Sequence, residues 1–239
     1  MTPRDERWKI LKDGMAAAWP ICLGYAPIGL AFGVLAQKAG LTPWEIGLMS
    51  ILVYAGSAQF IAVSMIESGA QAIPIILTTF TVNLRHLLMS SSLAVHLRRL
   101  GRGWLSLFAY GVTDESFALN TARFRERDWD WSRALVLNHT SNCAWIAGTV
   151  AGGYGGQFIP AGAFGIDYAL PAMFICLLVM QIRDSLHVAV ALLSGLLAVV
   201  LSLLFAGNAH VVAAAVTAAT AGVFLRSRRG GFAESGKPS

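Results

Sequence analysis

The feature that most constrains this chain is a series of long apolar runs separated by short charged or polar stretches. A helix needs roughly 20 mostly apolar residues to cross a bilayer. Eight runs meet that length, and they span residues 15–37, 44–66, 72–95, 103–122, 134–152, 166–182, 186–206 and 209–225. Because the runs are continuous and do not alternate between apolar and polar residues, they predict helices and not the strands of a membrane barrel. Charged residues make up 13% of the chain, against about 25% in a soluble domain.

These runs predict an all-α integral membrane protein, a polytopic helical bundle of about eight transmembrane helices, some of them kinked or broken. The first run is too long to be the apolar region of a cleaved signal peptide, so we expect it to remain as the first helix. The expected organisation is a cytoplasmic segment at 1–14, a single transmembrane domain at 15–225 and a disordered cytoplasmic tail at 226–239.

Lys and Arg residues are distributed unevenly and set the expected orientation. If all eight runs cross, most of these residues fall on the side of the two termini, which is therefore predicted to be cytoplasmic. The stretch HLRRLGR at 96–102 is the exception, since eight crossings place it outside. A re-entrant run at 72–95 would move it inside and leave seven crossings, so both counts stay open. The basic residues lie between apolar runs and form no single patch, which argues against nucleic-acid binding.

The sequence carries no signature of a metal, a cofactor or an enzyme. Its cysteines, Cys22, Cys143 and Cys176, lie within apolar runs at spacings that fit neither a disulfide framework nor a zinc site. The ATP-binding motif G-x-x-x-x-G-K-S/T and the zinc motif H-E-x-x-H are both absent. Ser57, His86 and Asp114 have the residue types of a nucleophile, a base and the residue that orients the base, but AGSAQF around Ser57 is not a G-x-S-x-G elbow.

The densest polar group within the apolar runs is TTFTVNLRHLLMSSS at 78–92. An Arg at the centre of a transmembrane helix costs about 2.5–3.5 kcal/mol, so such residues tend to mark functional sites. Asn83 and His86 are three residues apart and share a helix face, whereas Arg85 points elsewhere unless the helix is broken. We expect Arg85 to meet a carboxylate, either on a neighbouring helix or on a substrate, because its planar fork binds both oxygens. A purely structural ion pair is the competing interpretation.

Two carboxylates, Asp114 and Glu115, lie midway along the run at 103–122. Adjacent residues of a helix point about 100° apart, so we expect one to face a transport pathway and the other a partner. A carboxylate in a low-dielectric site with a cation nearby can take up and release a proton. Each is therefore a candidate proton carrier, and a static pair with Arg85 is the alternative.

Small residues interrupt two of the runs. VYAGSAQF at 53–60 contains Gly56, Ser57 and Gln59, and small residues allow either close helix packing or local unwinding. Broken helices often form transporter sites, where released backbone groups meet the substrate. The first run has the same character, with Pro20, Gly24, Pro27, Gly29 and Gly33. Packing and breakage both stay open for these two runs.

A weaker polar group, LNHTSNCAW at 137–145, contains Asn138, His139 and Asn142. These residues, together with Ser57, are secondary candidates for a binding site. The glycine-rich GGYGG at 152–156 is interpreted as a flexible loop.

Four stretches together resemble the AzlC-type large subunit of branched-chain amino-acid exporters. They are YAGSAQF at 54–60, NLRHLLMS at 83–90, TDESFA at 113–118 and FGIDYALPAMF at 164–174, and the match extends over roughly 15–225. The resemblance implies proton-driven export of valine, leucine, isoleucine and sometimes methionine across the bacterial cytoplasmic membrane. It also implies a small AzlD-type membrane subunit as partner. The matching motifs contain Gln59, Asn83, Arg85, His86, Asp114 and Glu115.

The resulting hypothesis is a proton-coupled exporter without a cofactor, with its substrate site among the first four runs. Arg85 would bind the substrate carboxylate, Asn83, His86 and Gln59 would complete the site, and Asp114 or Glu115 would carry the proton. The alternatives are a channel, a membrane enzyme and a membrane subunit without transport activity of its own.

Overall fold

The computed structural model describes residues 3–98, 100–125, 129–158 and 185–204, with isolated positions between 168 and 182 and between 214 and 222. All regular secondary structure in these ranges is helical, which confirms the predicted all-α class. The chain divides into two compact units, Met1–Leu170 and Pro171–Ser239. The predicted single domain at 15–225 remains a prediction.

Within its described residues, the first unit contains seven α-helices. They are α1 (Pro3–Lys38), α2 (Pro43–Leu52), α3 (Gly56–Glu67), α4 (Ala72–Leu93), α5 (Arg102–Tyr110), α6 (Asp114–Arg123) and α7 (Trp131–Gly155). Short 3-10 turns follow α4 at Ala94–His96 and α7 at Gly156–Phe158. The described helix of the second unit is α8 (Ser185–Leu204).

Two described helices are long and apolar enough to cross a membrane, Arg4–Lys38 and Ala72–His96. Four predicted runs fall on α1, α4, α7 and α8. The runs at 166–182 and 209–225 lie almost entirely outside the described residues, as does the tail at 226–239, so the number of crossings stays a prediction.

The first helix begins earlier than the first predicted run. α1 starts at Pro3, so most of the segment expected at 1–14 continues the helix towards the N-terminus. Its first turn contains Asp5 and Glu6, and negative side chains there are stabilised by the partial positive charge of a helix N-terminus.

Two predicted runs are each divided into a pair of short helices. In the run at 44–66, α2 ends at Leu52 and α3 begins at Gly56. Tyr54 lies between them with a φ of 40°, a left-handed conformation that is uncommon for a residue other than glycine. Of the two interpretations open for this run, local breakage is therefore the one observed.

The run at 103–122 is also broken, and here the expectation of a continuous helix is wrong. α5 ends at Tyr110, and α6 begins at Asp114 after three non-helical residues. Thr113 caps α6, because its side chain accepts a hydrogen bond from the Ser116 N–H while the Ser116 hydroxyl accepts one from the Thr113 N–H. Asp114 and Glu115 consequently lie in the first turn of a helix and not at the middle of one.

The first run, in contrast, forms one continuous helix. α1 continues through Pro20 and Pro27, both of which are exposed on its surface. Proline is tolerated in transmembrane helices where the surroundings satisfy the carbonyl groups that it leaves unpaired. For this run, packing is therefore the interpretation that the structure supports.

α1 packs against α7 through glycines at four-residue spacing on both helices, Gly29 and Gly33 on one and Gly148 and Gly152 on the other. A Cβ atom at Gly33 would lie 2.0 Å from the Thr149 carbonyl oxygen. The two backbones therefore touch, as in other membrane helix pairs with small residues at the interface. The interpretation of GGYGG as a flexible loop is wrong for 152–155, because α7 continues through Gly155 and packs there against α1.

Aromatic side chains extend this interface towards α3. The ring centroid of Phe32 lies 5.1 Å from that of Phe60 and 5.9 Å from that of Trp145, and all three side chains are buried. A second apolar cluster holds the end of α4, the break after α5 and the start of α7, and it consists of Leu93, Leu97, Phe108, Val112 and Ala134. These two clusters fix the helices that surround the breaks.

Replacing Gly33 with Ala should lower the thermal unfolding midpoint of the purified protein in detergent by roughly 2–10 °C, because the new methyl group overpacks the α1–α7 contact. Gly24→Ala is the matched control, since a Cβ at Gly24 meets nothing within 4 Å. The control should leave the midpoint unchanged or slightly raised, because alanine favours the helix. Equal midpoints for the two variants would contradict the packing described for this pair.

Candidate functional site

Arg85 of α4 connects the two helices that begin after the breaks. Its Nη1 lies 2.8 Å from the Asp114 carboxylate, and its Nη2 donates a hydrogen bond to Ser57 Oγ at 2.5 Å. Ser57 is the second residue of α3 and Asp114 is the first residue of α6. α4 is unbroken, so of the two arrangements expected for Arg85, the structure shows a carboxylate on a neighbouring helix. The Arg85 and Asp114 side chains retain 29% and 37% of their accessible surface, so the pair is reachable.

The first turns of α3 and α6 also determine the electrostatics of this junction. The N-cap of α3 is Ala55, which provides no side-chain hydrogen bond, whereas α6 is capped by Thr113. A helix N-terminus carries partial positive charge on its unpaired N–H groups. Together with the guanidinium of Arg85, two such ends favour negatively charged groups, and the protein places Asp114 and Glu115 at one of them.

Carbonyl groups that the breaks release from helical bonding are met by side chains from other helices. His86 Nδ1 lies 2.9 Å from the Val112 carbonyl oxygen, and the Tyr110 hydroxyl donates to the Ile51 carbonyl at 2.5 Å. Because a carbonyl only accepts, Nδ1 of His86 carries the hydrogen, and Nε2 of the neutral ring is then an acceptor. These bonds satisfy backbone that a bilayer would otherwise leave without partners.

Three side chains on one stretch of α4 keep buried polar atoms without a hydrogen-bond partner among the described residues. The atoms are Asn83 Oδ1, Arg85 Nε and His86 Nε2. Most buried polar groups in folded proteins are paired, so each exception calls for an explanation. A donor and two acceptors within one helical turn are the groups that a small ligand with both an anionic and a cationic end would use.

The two adjacent carboxylates have different partners, as their neighbouring positions predict. Asp114 pairs with Arg85, whereas Glu115 Oε2 lies 2.7 Å from the hydroxyl of Tyr25 on α1. The same hydroxyl lies 2.8 Å from Thr113 Oγ1. The single hydroxyl hydrogen of Tyr25 suits the carboxylate, which only accepts when it is ionised. Glu115 is thus held by α1, and Asp114 by α4.

Gln59 is held in a separate buried network. Its Oε1 accepts a bond from Trp145 Nε1 at 2.9 Å, and its Nε2 donates to Ser50 Oγ at 3.2 Å. Ser50 in turn lies 2.8 Å from Thr149 Oγ1. Both ends of the Gln59 amide are therefore occupied, and the residue of this motif that contacts Arg85 is Ser57. Gln59 ties α2, α3 and α7 together around the first break.

Two of the secondary candidates on α7, Asn138 and His139, lie at the second break. Asn138 is fully buried, and its side-chain oxygen accepts a hydrogen bond from Asn120 Nδ2 at 2.8 Å. A Cβ atom at Gly111 would lie 2.7 Å from the Cβ atom of Asn138. The His139 ring stacks on Tyr110 with centroids 6.1 Å apart. Asn142 Nδ2 and His139 Nε2 are buried without a partner among the described residues. Asn138 therefore supports the break, and its packing explains why residue 111 is glycine.

Four residues at the site were absent from the sequence-based candidates: Tyr25, Tyr110, Asn120 and Trp145. Their polar tips lie within apolar runs, and each has a partner at least 18 positions away in the chain, so no local pattern indicates them. The break before α6 did have a signal, since Gly111 followed by Thr113 and Ser116 matches a helix start with a capping side chain. Across the described part of the chain, no group of three or more His, Cys, Asp or Glu side chains could hold a metal ion.

The chain matches the family model described as AzlC protein over residues 20–159, a range that contains every candidate residue named above. It is 33% identical over 198 residues to the inner membrane protein YgaZ of Escherichia coli strain K12, covering 79% of this chain and 81% of that protein. It is 29% identical over 220 residues to the branched-chain amino acid transport protein AzlC of Bacillus subtilis strain 168, covering 90% and 84% of the two chains.

An uncharacterized membrane protein of Archaeoglobus fulgidus is 29% identical over 213 residues, covering 87% of this chain and 91% of that protein. No solved structure matches this chain. The relatives are named as membrane or transport proteins, which confirms the predicted integral membrane class and a transport family in place of an enzyme. With a family match over more than half of its length, the chain belongs to the AzlC family.

Proposed function

We propose that this chain is the large subunit of a secondary transporter that exports branched-chain and related small hydrophobic amino acids in exchange for protons. The substrates would be valine, leucine, isoleucine and methionine. The name of the Bacillus subtilis relative supports this substrate class. The observation that carries the proposal is Arg85, which lies between the starts of two half-helices and keeps a buried Nε without a partner among the described residues.

The substrate carboxylate binds the edge of the Arg85 guanidinium that Nε and Nη2 form. Asp114 holds Nη1, so Nε and Nη2 on the other edge are oriented for an incoming carboxylate. Nη2 currently donates to Ser57 Oγ, a neutral acceptor that a charged carboxylate replaces favourably. Asp114 therefore stays in place when the substrate binds, and it keeps the guanidinium in a fixed orientation.

The ammonium group of the substrate carries three hydrogens and needs more than one acceptor near the same junction. Asn83 Oδ1 and His86 Nε2 are buried acceptors without partners on the same part of α4. One of the carboxylates at the start of α6 carries the transported proton. The breaks allow α3 and α6 to move relative to α4, which is how discontinuous helices open a site alternately to the two sides of a membrane.

The assignments of membrane, orientation and partner rest on the family resemblance and on the distribution of Lys and Arg along the chain. The transporter acts in the bacterial cytoplasmic membrane with both termini in the cytoplasm, as the distribution of Lys and Arg predicts. Its partner is a small AzlD-type membrane subunit. α4 offers a broad apolar surface for lipid or that partner, with exposed Ile73, Ile76, Leu77, Phe80, Leu84, Leu87 and Leu88.

Expression of this chain with its small partner subunit, in cells that lack their own exporters, should accelerate efflux of leucine, valine and methionine released from internalised dipeptides. Efflux should saturate and should stop when an uncoupler dissipates the proton gradient, because a carrier and not a channel performs it. The measurement is the free amino acid in the medium over time. Unchanged efflux from cells that contain well-expressed protein would refute the proposed function.

Exchanging the two charges of the ion pair separates its structural role from its binding role. Arg85→Asp or Asp114→Arg alone should impair folding, because each leaves a charge unpaired in the membrane. The double variant restores a pair and should recover the folded protein. Its export of leucine should still be about 10- to 150-fold less efficient than that of the wild type, because the charge-assisted bonds from Arg85 to the substrate carboxylate are lost.

Arg102→Gln is the matched control, since Arg102 is an exposed arginine at the start of α5. This variant should export leucine at the wild-type rate. Wild-type export by the double charge exchange would show that Arg85 acts only as a structural partner of Asp114 and would remove it from the substrate site.

A further inference from the structure

The charges at the junction do not balance among the described residues. Arg85 is neutralised by Asp114 at 2.8 Å. Glu115, the next residue, receives a hydrogen bond from Tyr25 but has no ion pair with a cation in the described part of the chain. A carboxyl group held by a hydrogen bond alone, beside an ion pair that is already complete, can pair with the cationic end of a ligand.

Glu115 is held rigidly by the α1–α7 frame. Tyr25 is buried, and its ring makes an edge contact with Trp145 at 5.4 Å between centroids and 71° between planes. Trp145 is itself fixed by its bond to Gln59. Tyr25 occupies only Oε2 of Glu115, so the other carboxylate oxygen, Oε1, is available to a ligand.

We propose that Glu115 binds the ammonium group of the substrate, that the transported proton competes with this ammonium for the same carboxylate, and that Tyr25 is the residue that positions it. This assignment rests on the proposed function. A zwitterionic amino acid places its carboxylate on Arg85 and its ammonium on Glu115, so that each charged end of the substrate meets a group of opposite charge. Asp114 then has a fixed structural pairing and takes no part in proton transfer.

Substrate and proton are exchanged because the substrate ammonium and the proton bind the same carboxylate and exclude each other. On the outer side, a proton binds an oxygen of Glu115, and the amino acid leaves with all three protons of its ammonium group. On the inner side, the next ammonium group requires an ionised carboxylate, so the proton dissociates into the cytoplasm. One neutral zwitterion leaves for each proton that enters. A single positive charge therefore moves inwards per cycle, and the membrane potential drives export together with the pH gradient.

The other titratable groups packed around Glu115 are distributed over the elements that form the site. They are Tyr25 on α1, Tyr54 between α2 and α3, Arg85 and His86 on α4, and Asp114 on α6 itself. α7 contributes Asn138 and Asn142, which are uncharged, and His139, which stacks on Tyr110. Arg85 and Asp114 are paired with each other, His86 is held by the Val112 carbonyl, and the tyrosine hydroxyls are neutral donors, so Glu115 is the carboxylate that can exchange its occupant.

The test uses the complex of this chain with its small subunit, reconstituted in liposomes, with labelled L-leucine as probe. Wild-type protein should perform both leucine counterflow and efflux driven by a pH gradient, and leucine binding should weaken as the pH falls. Glu115→Gln should retain counterflow at saturating leucine but lose gradient-driven efflux, by roughly 10-fold or more. Leucine binding by this variant should no longer depend on pH.

Two comparisons make the assignment specific. Glu67→Gln, at the exposed end of α3, should leave all three properties unchanged. Asp114→Asn should weaken leucine binding but keep its pH dependence. Tyr25→Phe should keep coupling but weaken leucine binding, since the Glu115 carboxylate loses the hydroxyl that positions it.

A second probe reports on the ammonium directly. In 2-hydroxy-4-methylpentanoate, a hydroxyl group replaces the ammonium of leucine. The wild-type complex should prefer leucine, and Glu115→Gln should bind the two compounds with similar affinity. If Glu115→Gln kept pH-dependent leucine binding, or kept the wild-type preference for leucine, the assignment to Glu115 would be overturned while the proposed function remained. A wild-type complex that moves no leucine in either direction would refute the proposed function itself.

Discussion

The structure depends on one constraint, which is that a helix broken inside a bilayer must find new partners for the backbone groups that the break releases. Two runs in the described part of the chain are broken, and each break is supported by side chains from other helices. Tyr110 donates to the carbonyl of Ile51, and His86 donates to that of Val112. The second half-helices begin where Arg85 contacts Ser57 and Asp114. His86, which satisfies one break, and Arg85, which contacts the helices that follow both breaks, are neighbours on α4, so the candidate site lies where the breaks are supported.

The α1–α7 pair provides a rigid support beside these breaks. Glycines at the contact bring the two backbones together, and the aromatic side chains beyond it fix Tyr25 and Trp145. α4 differs, because much of its surface is exposed and its polar side chains make contacts mainly with the starts of α3 and α6. The α1–α7 pair holds Glu115, and the less buried α4 carries Arg85. This arrangement suits a site in which the two charged ends of a substrate are bound by different helices.

The polar residues of α4 and α6 could be predicted from the sequence because charged residues in apolar runs are costly and rare. Arg85 was expected to meet a carboxylate, and it meets Asp114. The break at 111–113 was not predicted, although Gly111 and the Thr113–Ser116 cap were a local signal. The roles of Tyr25 and Gln59 could not be predicted, since Glu115, the partner of Tyr25, and Trp145, a partner of Gln59, are each more than 80 positions away in the chain. The prolines of α1 suggested a break as much as packing, because their effect depends on the helix that packs beside them.

The central claim is that Arg85 binds the carboxylate of the transported amino acid. The most direct measurement is calorimetric binding of L-leucine and of leucinamide, in which a neutral amide replaces the carboxylate, to the purified complex and to its Arg85→Gln variant. The account predicts that the wild-type complex prefers leucine by roughly 10-fold or more and that Arg85→Gln shows no preference. Equal affinities of the wild-type complex for the two compounds, or an unchanged preference in Arg85→Gln, would contradict the claim.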